Sequence, residues 1–208
     1  MFLIAPMERL SYTGYMNNRA REFAVEYHTH RTRTGVPDVY DGKPYVESHV
    51  SDVVTVLMDF IDDLKSFGVT SGQFDNLIKS AWLHDSVEDT EATISLIARR
   101  FGLEVARLVW AVTGIGSSRK IRNADMARKI ALATAKKILA AILKLADRIA
   151  NVEHSTKGSK HWQMYFDEMG KFEVYIRPYV PAAMWNRLLA AFELEKPKGD
   201  GYVDGAAV

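Results

Sequence analysis

Residues 50–67 read VSDVVTVLMDFIDDLKSF, and Val50, Val53, Val54, Leu57, Phe60, Ile61 and Leu64 recur at i, i+3, i+4 and i+7. That spacing lays them on one stripe of an amphipathic helix. The same period continues in both directions along the chain. Leu77, Ile78, Ala81 and Trp82 predict a helix over 74–86, and Thr93 is placed to cap one that carries Ile94, Ile97 and Ala98 and ends near Phe101-Gly102. Further helices are predicted over 103–113, 161–176 and 182–194. Residues 122–150 read as one long helix or two joined near Ala133-Thr134. The six prolines leave none between 45 and 177, and a proline costs about 3 kcal/mol inside a helix, so a helical run of that length is permitted. No Asn-Gly hairpin or period-two strand stands out. Residues 32–46, TRTGVPDVYDGKPYV, read as loop. The class expected is all-α, one compact helical domain within residues 1–194 followed by a polar, glycine-rich, flexible tail over 195–208.

The 208 residues, 48% of them apolar, are enough for a real core. With 27 basic and 26 acidic residues there is no global field to favour nucleic acid. The absence of cysteine excludes disulfide frameworks, thiolate zinc sites and cysteine nucleophiles. No apolar run approaches the ~20 residues that span a bilayer, and MFLIAPMERL lacks the layout of a signal peptide. A soluble cytoplasmic protein is expected, with no membrane partner.

Polar chemistry concentrates in three places. In WLHDSVEDT (82–90), His84 and Asp85 set an imidazole beside a carboxylate, and on a continuous helix Glu88 and Asp89 lie one turn above them. In LKLADRIAN (143–151), Asp147 and Asn151 share a face flanked by Leu143, Leu145 and Ile149; the bland alternative is a surface pairing of Asp147 with Lys144 or Arg148, worth less than about 1 kcal/mol. In YVESH (45–49), His49 starts the helix quoted first.

Together these segments resemble the HD-domain metal-dependent phosphohydrolases, in which H…HD…D runs in this order, and more narrowly the RelA/SpoT-type alarmone hydrolases, including their small stand-alone forms. LHDSVEDT (83–90) is similar to their hydrolase motif, KLADRIAN (144–151) to their second signature, FAVEYHTHRTRTG…GKPYVESH (23–49) to their opening, and RRFGLEVARLVWAVTG (99–114) to the helix pair after the motif. The resemblance implies His49, His84, Asp85 and Asp147 as ligands of one Mn²⁺ per chain, and Glu88 and Asp89 as the catalytic acidic pair. It implies Arg33, Lys144 and Asn151 as substrate contacts, with Arg33 stacking on guanine. The reaction implied is hydrolysis of the 3′-pyrophosphate of guanosine tetra- or pentaphosphate to GDP or GTP and pyrophosphate, which reverses a starvation signal. The alternative is a different nucleotide on the same scaffold, by NADPH phosphatase or (deoxy)nucleoside triphosphate hydrolase chemistry. Here TGVPDVYDGK separates Arg33 from Pro44, longer than the family's usual spacing, and Thr34 stands where a basic residue is usual.

The remaining features read as packing or solvated surface. Trp82, Trp110, Trp162 and Trp185 are expected in the core, and His28 and His30 at the surface or behind the site. Arg119, Lys120, Arg122, Arg128, Lys129, Lys136 and Lys137 are expected on a solvated face, a few of them rimming a cleft. The aromatic segment 161–176 is expected either to pack back on the domain or to form a homodimer contact.

Overall fold

The computed structural model describes residues 19–132 and 137–193. Among them the chain is helical except for one two-stranded hairpin, so the all-α class holds. Helix α1 covers residues 19–30. The hairpin follows, with β1 (Val39–Tyr40) antiparallel to β2 (Lys43–Pro44). A π-helical turn, Val46–Val50, leads into α2 (Ser51–Asp59) and α3 (Ile61–Ser66), then α4 (Ser71–Leu83), the short α5 (Ser86–Asp89), α6 (Ile94–Phe101) and α7 (Leu103–Val112). The described chain ends with α8 (Arg119–Leu132), α9 (Lys137–His154), α10 (Lys160–Ile176), a 3-10 turn Arg177–Tyr179 and α11 (Ala182–Ala191).

The hairpin corrects the reading of 32–46 as plain loop. Asp41 and Gly42 both adopt positive φ, 48° and 75°, the conformation that closes a two-residue hairpin and that Asp-Gly accepts readily. The helix expected over 50–67 divides at Phe60, whose φ of −104° and ψ of 18° interrupt it. Helix α4 starts earlier than expected because Thr70 and Gln73 form a reciprocal capping box, and it ends at Leu83, before the His84-Asp85 doublet. Thr93 does cap α6, accepting from the Leu96 amide.

The junction expected near Ala133-Thr134 lies outside the described residues, as do the tail 195–208 and Lys136. The helices on either side of that junction are not collinear. Arg119 and Arg148 both bind Glu168, whereas one continuous helix would hold them about 43 Å apart at 1.5 Å per residue.

Helix α9 runs through the middle of the fold, with α2, α4, α7, α8, α10 and α11 packed on it. Ala140, Ile142, Leu143, Leu145, Ala146 and Ile149 are fully buried, so nearly its whole circumference is core. Asp147 and Arg148 are buried on the same helix and need partners there. Trp82 and Trp185 are core as expected, whereas Trp110 is exposed. The segment 161–176 lies back against α9 and α8. No helix among the described residues is long and apolar enough to cross a membrane.

Candidate metal centre and cleft

Three separate elements bring four donors to one point. His49 comes from the π-helical turn, His84 and Asp85 follow the end of α4, and Asp147 sits in mid-α9. Asp85 Oδ2 lies 3.0 Å from His84 Nε2 and 3.7 Å from His49 Nε2. Asp147 Oδ1 lies 3.2 Å from His49 Nε2 and 3.8 Å from His84 Nε2. Donor atoms of His49, His84 and Asp85 all fall within 4.8 Å of one another.

The histidine ring chemistry suits a cation. His84 Nδ1 is 2.8 Å from the Ala81 carbonyl, which only accepts, so Nδ1 carries a proton and Nε2 is the ring nitrogen turned toward the other donors. His84 Nε2 is buried and makes no hydrogen bond despite the nearby Asp85 oxygen. Two donors this close, neither aimed at the other, point at a common third body. Two imidazoles and two carboxylates without thiolate match a borderline-hard divalent ion, so the residues fit such a group. Burial alone would lower the His84 pKa, but the Asp85 charge outweighs it and lifts it to about 9. Burial would raise Asp147, yet the Lys144 ammonium and the His49 hydrogen bond hold it well below the usual carboxylate range.

The carboxylate ligands are braced from behind. Lys144 Nζ is 2.6 Å from Asp147 Oδ2, an ion pair that is nearly buried and not the surface pairing of the bland alternative. Asn151 Nδ2 donates to Asp147 Oδ1 at 2.6 Å and to its carbonyl at 3.0 Å. Tyr40, carried in by the hairpin, donates to Asn151 Oδ1 at 3.3 Å. The Tyr45 hydroxyl donates to Asp85 Oδ2. His28 is buried rather than at the surface, its Nδ1 2.7 Å from Asp38 Oδ2 and its ring centroid 5.0 Å from that of Tyr45.

Beside the four donors opens a cleft lined by the acidic Glu88 and Asp89 and by the cationic Arg119, Arg122, Lys144 and Arg148. Glu88 and Asp89 do not continue α4, because α5 is a separate short helix after the doublet. Both still face the cleft. Burial, then the charges of Asp85 and Glu88, pushes Asp89 up to about 7. Burial and the Asp85 charge also raise Glu88, which accepts a hydrogen bond from the Gly114 amide.

Glu168 of α10 holds Arg119 at 2.7 Å, Arg148 at 2.9 Å and Asn123 at 2.9 Å. Arg122 has no carboxylate partner among the described residues and is free to meet an anion. Arg119 and Arg122 are thus among the few basic residues expected to rim a cleft. Lys129 leaves the solvated face expected of it, being buried. Arg33 lies on an exposed loop beside the acidic pair, its amide donating to the Asp89 carbonyl and its guanidinium to the Val87 carbonyl, each at 3.0 Å. In the sequence Tyr45 is marked only by its Pro-Tyr pair, and Arg119 and Arg122 only by a basic run. Nothing in the sequence marked Glu168.

Comparison with known proteins gives a family match over residues 20–172, described as "HD domain". A relative from Aquifex aeolicus, named guanosine-3′,5′-bis(diphosphate) 3′-pyrophosphohydrolase, is 38% identical over 136 residues, covering 65% of this chain and 17% of the relative. One from Synechocystis, with the same name preceded by "Probable", is 34% identical over 138 residues, covering 64% of this chain and 16% of the relative. One from Brucella melitensis, named GTP pyrophosphokinase rsh, is 31% identical over 139 residues, covering 65% and 16%. The chain thus spans about a sixth of the length of these curated relatives. A solved structure described as "A metazoan ortholog of SpoT hydrolyzes ppGpp and plays a role in starvation responses" superposes with a TM-score of 0.62 at 24% identity, covering 86% of this chain and 95% of that one. At that identity the likeness establishes the fold.

Proposed function

Since this chain belongs to the HD-domain family, we propose that it is a manganese-dependent hydrolase that removes the 3′-pyrophosphate of guanosine tetra- or pentaphosphate, releasing GDP or GTP and pyrophosphate. The observation that carries the reading is the convergence of His49, His84, Asp85 and Asp147 at the edge of a cleft lined by both acidic and cationic side chains. The names of the Aquifex and Synechocystis relatives supply the substrate.

In this reading the four donors hold one divalent ion, which when bound acidifies a water and polarises a phosphoryl oxygen. The chain's own residues do the rest. Asp89, with its pKa pushed up to about 7, is suited to take the proton of the attacking water and hand one to the departing 3′ oxygen. Glu88, held by the Gly114 amide, orients that water. Lys144, kept cationic because the Asp147 charge outweighs its burial, and the unpartnered Arg122 offset the charge of the phosphates. Asn151 has both amide hydrogens on Asp147 and keeps one carbonyl lone pair for a sugar hydroxyl. Arg33 reaches a guanine ring only by leaving Val87.

Incubation of the protein and Mn²⁺ with guanosine tetraphosphate should release pyrophosphate. Asp85→Ala should remove the activity, and Glu88→Ala should lower it by about 10²–10⁴. No release with any divalent metal would refute the substrate. The long loop between Arg33 and Pro44, with its hairpin, favours a second reading, hydrolysis of NADPH or a (deoxy)nucleoside triphosphate. A nucleotide panel with phosphate and pyrophosphate detected separately decides between the two, since the leaving group reports which bond breaks.

A further inference from the structure

Lys129 is 2% exposed, the largest fully buried side chain in the described fold, and it does not touch the cleft. A buried ammonium persists only where its hydrogen bonds are met, and those of Lys129 lead to one place. Its Nζ donates to the Thr113 carbonyl at 2.9 Å and to Asp125 Oδ2 at 2.7 Å, beneath the Trp110 ring with 5.0 Å to the centroid. The same Asp125 oxygen accepts the Ile115 amide at 3.2 Å. The pair therefore grips the turn between α7 and α8 on both sides of Gly114. The amide left between those two grips, that of Gly114, donates to Glu88 Oε1.

The turn also lies flat on α8. A Cβ at Gly114 would meet Arg122 Cβ at 2.8 Å and its carbonyl oxygen at 3.2 Å, and one at Gly116 would meet Ile121 Cγ2 at 2.4 Å. Neither contact can form without moving the turn. One backbone amide is thus fixed against α8 by sterics and by a buried ion pair, and its acceptor is a carboxylate of the cleft.

We propose that the buried Lys129–Asp125 pair is a positioning device for Glu88, acting through the 113–116 turn and the Gly114 amide. The proposal rests on the reading of Glu88 as a participant in the reaction. Helix α8 then has two duties: it carries Arg119 and Arg122 to the cleft, and it sets the Glu88 carboxylate that lines the same cleft. Any shift of α8 against α7 changes both together.

The test uses the full chain. Lys129→Met keeps the length of the buried stem and removes the donor, and Asp125→Asn keeps the shape at the other end in case the first variant fails to fold. Each should lower kcat about tenfold, part of what a misplaced water-orienting carboxylate forfeits, with KM and Mn²⁺ affinity within about twofold of wild type. In a Glu88→Ala background neither change should lower the rate further, because the group it positions is gone. Full additivity in that background, or a loss of Mn²⁺ affinity in place of kcat, overturns the proposal.

Hydrogen exchange at the Gly114 amide gives a reading independent of turnover. Exchange should be slow in wild type and faster in both Glu88→Ala and Lys129→Met, and equal rates in all three overturn the clamp. A wild-type protein that hydrolyses no nucleotide, yet shows the exchange pattern, overturns the functional reading and leaves the clamp standing.

Discussion

Replacing Glu168 by Gln tests how the arginines of the cleft are held. Glu168 ties α8 and α9 to α10: its Oε1 accepts from Arg119 Nε and Asn123, and its Oε2 from Arg119 Nη2 and Arg148 Nη2. Breaking a fully buried ion pair costs about 3–5 kcal/mol, and an exposed one about 0–1 kcal/mol. The side chain of Arg148 is 4% exposed, but those of Glu168 and Arg119 are 22% and 38% exposed. The loss should therefore fall between these limits, about 2 kcal/mol, which for a domain of this size is a fall in Tm of about 4–8 °C.

The pH dependence follows from the sign of the pKa shift. Burial would raise Glu168, but the hydrogen bond from Arg119 and the Arg148 charge bring it below its ordinary 4.5. A depressed carboxylate contributes stability that is fully present above its unfolded pKa and fades as pH falls through the folded one. The Tm gap between wild type and Glu168→Gln should accordingly be constant near neutrality and close below about pH 4.5. Thermal unfolding from pH 3 to 7 measures this. A gap under about 1 °C at pH 7, or one unchanged in acid, would refute the argument that charge on Glu168 ties the three helices.

Three further outcomes are expected. Saturating Mn²⁺ at 100 times its Kd should stabilise the protein by about 2.7 kcal/mol and EDTA should reverse this; an unchanged Tm would count against an ion at the four donors. Tyr45→Phe, which removes the hydroxyl from Asp85 Oδ2, should weaken Mn²⁺ binding by about tenfold in calorimetry, and unaltered affinity would show that Asp85 needs no brace. Arg122→Ala should raise KM for the nucleotide without changing Mn²⁺ affinity; a fall in kcat alone would place its contact in the transition state.

The helices and the four donors were legible because both are local or order-dependent signals. Apolar residues at 3.6-residue spacing mark a buried face wherever that face turns, and His49, His84-Asp85 and Asp147 stand in a recognisable order. The details that failed were those decided by what lies opposite. Lys129 sits in a basic run that reads as solvated, and only the Thr113 carbonyl, Asp125 and Trp110 make its burial tolerable. The hairpin was missed because its strands have two residues each, too short to show alternation; Asp41-Gly42 was its only local mark.

By itself, then, the sequence determined that this is a helical protein with a His/Asp centre, since periodicity, proline placement and motif order are written along the chain. Tertiary structure alone decided that Glu168 joins two arginines, that Arg33 is bound to the Val87 carbonyl, and that the Gly114 amide meets Glu88. A helix face records that a residue turns inward or outward. Which charge, carbonyl or ring it meets there depends on segments tens of residues distant, whose approach is set by how the helices pack around α9.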